Sequence, residues 1–356
     1  MTIFDLMQSQ ELVAYWEELI KDEAPYPCEE LFPDDKKRGI KLEWIKGARG
    51  LPIVLKTSAF DASAVPRGRI GFDHLETQMP YFKESTYIDE ELRQELNMVL
   101  ETGNQAYIDS VVNRIFDDEM RLLRGARASR ERMRMMALTS GVIIMVANGQ
   151  AFTFDYNLTH KATVSKSWSD YKNSDPIEDI RIAKEEIEQE TGCVITRAMC
   201  DSKTFRDLRN NEKIKNEIYA DRQNIGAITN QMLRNYIADQ LDGLKVAVND
   251  KRYKDENEET QKFMPDDTFV MFPDGALGKT WFGTTPAESD LQAGNAANVT
   301  ITDMGVAVTT VQKVDPVNVE TIVSMICLPS FESADEVCII DTKAATTSGD
   351  TSQQTA

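Results

Sequence analysis

The sequence predicts an α+β protein organised along one long helix. Three observations carry this. Asn104 to Gly141 runs without a proline and holds Gly125 as its single internal glycine. From Asp175 to Phe282, amphipathic helical stretches alternate with short apolar runs, the mark of mixed helix and strand in one unit. Near the C-terminal end, Gly305–Val314 and Val317–Cys327 alternate in the period-two manner of strands.

Composition narrows the function classes. At 356 residues the chain has room for two domains. Its 41% apolar and 8% aromatic content is that of a globular protein. A formal charge of −19 leaves no strong signal for nucleic-acid readout, because phosphate affinity needs a local excess of Lys and Arg. The five cysteines (Cys28, Cys193, Cys200, Cys327 and Cys338) are odd in number and widely spaced, without C-x-x-C. Neither a disulfide framework nor a zinc site is expected, and buried thiols in a reducing cytoplasm are. The first residues carry Asp5 and Glu11 with no basic region ahead of an apolar run, so no signal peptide is expected. No window approaches the roughly 18 apolar residues of a membrane span.

In chain order, Met1–Asp22 reads as an amphipathic helix with Phe4, Leu12, Trp16 and Leu19 on its apolar side, stopped by Pro25 and Pro27. A greasy helix on a proline-punctuated connector reads as an arm. It packs either on its own domain or on a neighbour, and the sequence leaves both open. Ile40–Trp44 and Leu51–Phe60 are strand-like, Asp61–Pro66 is a small-residue tip, and Arg67–Phe72 and Leu75–Phe82 return. Such a long two-stranded excursion is marginal in water without a partner surface. Glu84–Thr102 holds a short helix, and the long helix follows. At 1.5 Å per residue it reaches roughly 50 Å, too far for one compact core to shelter. Its arginines Arg121, Arg124, Arg127 and Arg130 recur in threes. Steps of three drift by about 60° on a 3.6-residue helix, so these arginines wrap around it. Pairing with acidic surfaces of neighbouring copies is the favoured reading; a solvated face and weak contact with nucleic acid are the others.

Val142–Val146 and Ala151–Phe154 flank Asn148-Gly149, a hairpin signal. Asp175-Pro176 starts a helix that Gly192 ends. Val194–Met199 is a strand, Asp201 caps a second helix, and Asn230–Leu241 is a third. Val246–Val248, Thr268–Phe272 and Lys279–Phe282 are strands, Lys254–Gln261 is a polar loop, and Glu336–Asp341 is a last strand. The Thr/Ser/Gln-rich residues 342–356 read as a flexible tail.

Catalytic patterns are missing. His74 and His160 are the only histidines, neither near a G-x-S-x-G serine, and there is no Walker loop or G-x-G-x-x-G. Asp117-Asp118 on a helix point about 100° apart, a poor acid/base or metal couple. No catalytic residue, cofactor or metal is expected.

The order arm, extended loop, spine helix, hairpin, α+β domain and returning strands resembles the Hong Kong 97 fold of tailed-phage major capsid proteins. More closely it resembles the family of the phage lambda major head protein, major capsid protein E. The residues that carry this are Gly50-Leu51-Pro52-Ile53-Val54-Leu55, Arg67-Gly68-Arg69, Pro80-Tyr81-Phe82-Lys83, Asp175-Pro176-Ile177-Glu178, Asp201-Ser202-Lys203-Thr204-Phe205, Pro265-Asp266-Asp267-Thr268 and Leu328-Pro329 with Ala334-Asp335-Glu336-Val337. The resemblance implies an N-terminal arm (1–40), an extended loop (41–86), a peripheral domain with the spine helix and hairpin (87–180), an axial domain (181–305), returning strands (306–341) and the tail. It implies a shell subunit, not an enzyme, that forms hexamers and pentamers around packaged double-stranded DNA. Partners would include portal, scaffolding and decoration proteins, with assembly in the host cytoplasm and no membrane involved. Without a long coiled coil ahead of the arm, a separate scaffolding protein is expected. Contacts between subunits are expected at Phe4, Trp16, Leu19, Lys56, Arg67, Arg69, Tyr81, Arg121, Arg124, Arg127 and Arg130. Lys56 is a loop lysine by position, and no crosslink is expected from it. The alternatives are an encapsulin shell of the same fold and, more distantly, a carboxylate-dependent hydrolase.

Overall fold

The computed structural model describes residues 8–46, 73–88, 90–102, 105–147, 149–219, 227–291, 297–314 and 317–344. The tip of the excursion and most of the tail lie outside them, as do Phe4, Lys56, Arg67 and Arg69. The chain divides into two compact units, and the division falls within the long helix, between Arg134 and Met135.

The first unit gathers described residues of Met1–Ile45, His74–Arg134 and Ala276–Phe331. Its centre is a six-stranded sheet around the 14-residue strand Val317–Ser330. One edge of that strand pairs antiparallel with Val306–Val314, which pairs with Asn298–Thr302. The other edge is shared in succession by Tyr81–Tyr87 and Lys279–Phe282. Asp34–Lys36 adds parallel to the latter. Within Glu84–Thr102, which is expected to hold a short helix, Glu84–Tyr87 continue the strand from Tyr81. Ser85, Thr86 and Tyr87 suit a pleated surface, and pairing across to Glu320–Ile322 decides their conformation; the helix starts at Glu90. The arm helix Ser9–Leu19 lies on Asn298–Thr302 and Val306–Val314. The spine helix, Gln105–Thr139, has the expected extent at 35 residues.

The second unit holds a five-stranded sheet in the order His160–Thr163, Cys338–Asp341, Thr268–Pro273, Ile195–Cys200, Lys245–Val248. Its outer pairs are parallel and its inner ones antiparallel. Helices Pro176–Thr191, Ser202–Asn210, Glu212–Ile218 and Asn230–Gln240 close one core over it, through Ile180, Ile187, Phe205, Leu208, Leu233 and Ile237 against Phe269 and Met271. The sequence signals for these helices are literal. Asp175 accepts from the Glu178 N–H and Pro176 takes the first position, while Gly192 turns left-handed at φ 71°. Asp201 accepts from Lys203 and Thr204 N–H, and Thr229 from Met232 N–H.

Several boundaries differ from expectation. Lys279–Phe282, expected within the middle domain, pairs in the first unit's sheet. The hairpin Val142–Ala147/Gln150–Asp155 falls in the second unit. The expected polar loop closes as a small hairpin, Arg252–Lys254 on Thr260–Lys262, because Asp255 Oδ1 accepts from the N–H groups of Asn257 and Glu259 and turns the chain. The strands His160–Thr163 and Asn298–Thr302 are not expected from sequence. Runs of three to five residues carry too little periodicity to declare themselves.

Candidate assembly surfaces

The arginine row of the spine helix turns from solvent to interior as the 60° drift requires. Side-chain exposure falls from 79% at Arg121 to 46% at Arg124, 6% at Arg127 and 4% at Arg130. Three steps make about half a turn. Arg134, one turn further, is 2% exposed.

Each buried arginine meets an acid from the connector behind the arm or from a turn of the sheet. Arg127 makes a bidentate pair with Glu29 (2.8 and 3.1 Å), reaches Glu23 at 3.1 Å and lies over the Tyr26 ring. Arg124 donates to Glu23 at 3.0 Å. Arg130 donates to Asp303 at 2.8 Å, with Asp34 at 3.6 Å. Arg134 pairs with Asp34 and donates through Nε to the Thr280 hydroxyl at 2.8 Å, which itself donates to the Phe32 carbonyl. Glu131 accepts from the Cys28 N–H at 3.1 Å. The connector is therefore clasped to the spine by charge through Glu23, Glu29 and Asp34.

Burial and charge contend in this clasp. Burial disfavours an ionised Glu29, yet the Arg127 hydrogen bond and charge outweigh it and hold the carboxyl below its usual range. At Asp34 burial wins over Arg134 and Arg130, and the carboxyl titrates above its usual range. Glu131 is pushed by burial up to about 7, against the Cys28 N–H and Arg134. A carboxyl raised in this way keeps its proton in the fold at pH values where the unfolded chain has lost it. Its contribution thus favours the fold at low pH and is lost as pH rises from the unfolded value toward about 7.

The arm packs on its own unit. Leu12 and Trp16 are fully buried. Ser9 Oγ donates to Asn298 and lies 2.7 Å from the Thr300 hydroxyl, and the Tyr15 hydroxyl donates to Asp117 on the spine helix. Trp16, Arg127 and Arg130, expected at contacts between subunits, are thus engaged inside the chain. The physical reason is local: the connector places Glu23, Glu29 and Asp34 within reach of the inward-turned arginines. Leu19 is half-buried, and Tyr81, Arg121 and Arg124 keep open surface. The acids that clasp the arginines were missed as a group from sequence. Their signal was there, since residues 1–35 hold ten acids and one lysine.

The gradient carries a test. Arg121→Ala is expected to change unfolding free energy by less than about 0.5 kcal/mol, because its Asp118 pair is solvated. Arg127→Ala is expected to cost several-fold more in the same urea titration, as its loss strands Glu29. Equal costs would contradict the clasp.

Among the described residues no group of three or more His, Cys, Asp and Glu could hold a metal ion, and no helix is long and apolar enough to cross a membrane. The five cysteines form no disulfide with one another.

A long spine helix, a clasped N-terminal segment, a strand excursion and two sheet-bearing units define a Hong Kong 97-type capsid subunit. Residues 39–342 match the profile of the phage major capsid protein E family, and the chain belongs to that family. It is a phage major capsid protein, a structural subunit of the virion shell that assembles with copies of itself, and not an enzyme. A comparison with curated proteins finds no match. The fold is similar to three solved structures. A phage-related protein of Bordetella bronchiseptica RB50 is 14% identical, with 89% of this chain and 91% of that one covered at a TM-score of 0.52. The capsid subunit of cyanophage A-1(L) is 10% identical, covering 88% and 91% at 0.52. A protein assigned as the capsid protein of an E. coli CFT073 prophage is 16% identical, covering 75% and 79% at 0.51.

Proposed function

We propose that copies of this chain form the hexamers and pentamers of an icosahedral shell, assembled in the host cytoplasm on a separate scaffolding protein. The shell holds double-stranded DNA without sequence readout and is closed by a portal. In this reading the second unit is the axial domain around the ring centres, and the first is the peripheral domain between rings. The observation that carries it is the family match over 39–342. The excursion supports it: its base, Lys41–Lys46 beside Asp73–Gln78, is a two-stranded ribbon that joins neither larger sheet among the described residues. That base already buries Leu42 and Trp44 within its own chain; a neighbouring copy is proposed as the surface for residues 47–72. Tyr81, Arg121 and Arg124, together with Phe4, Leu19, Lys56, Arg67 and Arg69, remain the proposed contacts.

The test is deletion of residues 48–71, bridged by a short Gly-Ser turn. The cut stops before Asp73 so that Tyr81–Tyr87 keeps its pairing with the long strand. The expected variant melts like the wild type yet forms no closed shells by negative-stain microscopy with co-expressed scaffold. Intact shells from it would remove the loop's role. DNA inside wild-type particles, in place of a protein cargo, separates this reading from an encapsulin.

A further inference from the structure

The sequence holds two Asp-Gly pairs, Asp242-Gly243 and Asp274-Gly275. Such a pair can react within its own main chain. The glycine nitrogen has no side chain to shield it, and it lies within reach of the preceding carboxyl. Attack closes a five-membered ring with the advantage of an intramolecular step. The fold decides whether both reacting groups are free. Exposure does not separate the two pairs, since the side chains are 89% exposed at Asp242 and 83% at Asp274. Engagement does. Gly243 follows the helix Asn230–Gln240, and its N–H donates to the Ala238 carbonyl at 2.7 Å, as a glycine closing a helix does. Asp242 is held at φ 53°, with its carboxylate 3.2 Å from the buried Lys184 ammonium.

At the other pair, the Gly275 N–H makes no hydrogen bond among the described residues. Gly275 has φ 91°, and nothing lies within 4 Å of where a Cβ would stand. Arg197 is 3.6 Å from Asp274, beyond hydrogen-bond range, and lies over the Phe272 ring. Asp274, Gly275 and Ala276 are exposed between buried Pro273 and buried Leu277. Pro273 closes the pairing with Ile195, and the Leu277 N–H donates to the Leu31 carbonyl at 2.8 Å. We infer that Asp274-Gly275 is a site of spontaneous isoaspartate formation in the folded chain. The Gly275 nitrogen attacks Cγ of the protonated Asp274 carboxyl. The N–Cγ bond forms, the Cγ–OH bond breaks, and the hydroxyl leaves as water with the nitrogen's proton. Water then adds back to the succinimide. Breaking N–Cγ restores aspartate; breaking the bond from the nitrogen to the Asp274 main-chain carbonyl carbon gives isoaspartate. Mass is unchanged, and no oxidant or cofactor enters. The product lengthens the main chain by one methylene where it passes from the second unit into the first.

The test holds the folded, unassembled full chain for weeks near pH 6 in heavy-oxygen water. The chain is then digested, and isoaspartate is located by electron-transfer fragmentation. Accumulation at position 274 is expected to exceed that at 242 by roughly fivefold or more, because Gly243 must first give up its hydrogen bond. Heavy oxygen should enter the Asp274 residue with it. In concentrated urea the two positions are expected to react at similar rates, which makes the selectivity a property of the fold. The rate at 274 should fall from pH 6 to pH 8, as the leaving hydroxyl needs a protonated carboxyl. Asp274→Glu is expected to abolish the product there while melting like the wild type, since the larger ring closes far more slowly. The single Asn-Gly pair, Asn148-Gly149, reacts with loss of ammonia, and its mass change keeps it apart in the digest. Equal accumulation at 242 and 274 in the folded chain would overturn the inference. So would none at 274 while the urea-treated chain forms it there.

Discussion

Trp16→Ala is expected to destabilise the unassembled subunit by about 3–5 kcal/mol, the range for deleting a large buried aromatic. The indole is fully buried where the arm helix lies on Asn298–Thr302 and Val306–Val314, so its removal opens a cavity beneath that helix. Urea denaturation of the isolated chain measures the cost. Shell assembly should weaken only in proportion to the lost fold, and a second core variant of equal cost, such as Leu328→Ala at another fully buried site, should lose assembly equally. If Trp16→Ala leaves subunit stability intact and abolishes shells, the arm belongs to a neighbour and the packing described here does not persist in the shell.

Arg134→Ala is expected to cost about 3–5 kcal/mol, the penalty for stranding a buried charge partner. Its removal takes the closest counter-charge from Asp34 and the Nε donor from Thr280. Asp34 already titrates above its usual range because burial dominates, and the variant raises it further. The sign follows from linkage: the deficit is largest at high pH, where the stranded carboxylate is ionised, and shrinks as pH falls through the folded-state value. Adding Asp34→Asn should recover part of the loss and flatten that pH dependence. A cost below about 1 kcal/mol, or no recovery on adding Asp34→Asn, would show that the pair carries little of the clasp.

Helix ends were the most legible feature. Asp175-Pro176, Asp201, Gly192 and Gly149 state their roles within a few residues, since capping and left-handed turns are satisfied by local chemistry. The spine helix was legible for the same reason, its periodicity sustained over 35 residues. The 60° drift of its arginines was legible too, but not the direction in which the row turns. That depends on Glu23, Glu29, Asp34 and Asp303, which lie far away in sequence and arrive only when the chain closes.

The sequence by itself thus determined the class: an acidic, α+β chain with a spine helix, a greasy arm and a long extended excursion, with its parts in the order of a phage capsid subunit. Tertiary structure decided how charge is spent. It turned Arg127, Arg130 and Arg134 inward as an intrachain clasp, laid Trp16 on the chain's own sheet, and ran the strand from Tyr81 on to Tyr87. The reason is range. Caps, turns and periodicity are settled within one or two turns of chain, whereas the partner of a buried charge is fixed only by which distant segments share its low-dielectric surroundings.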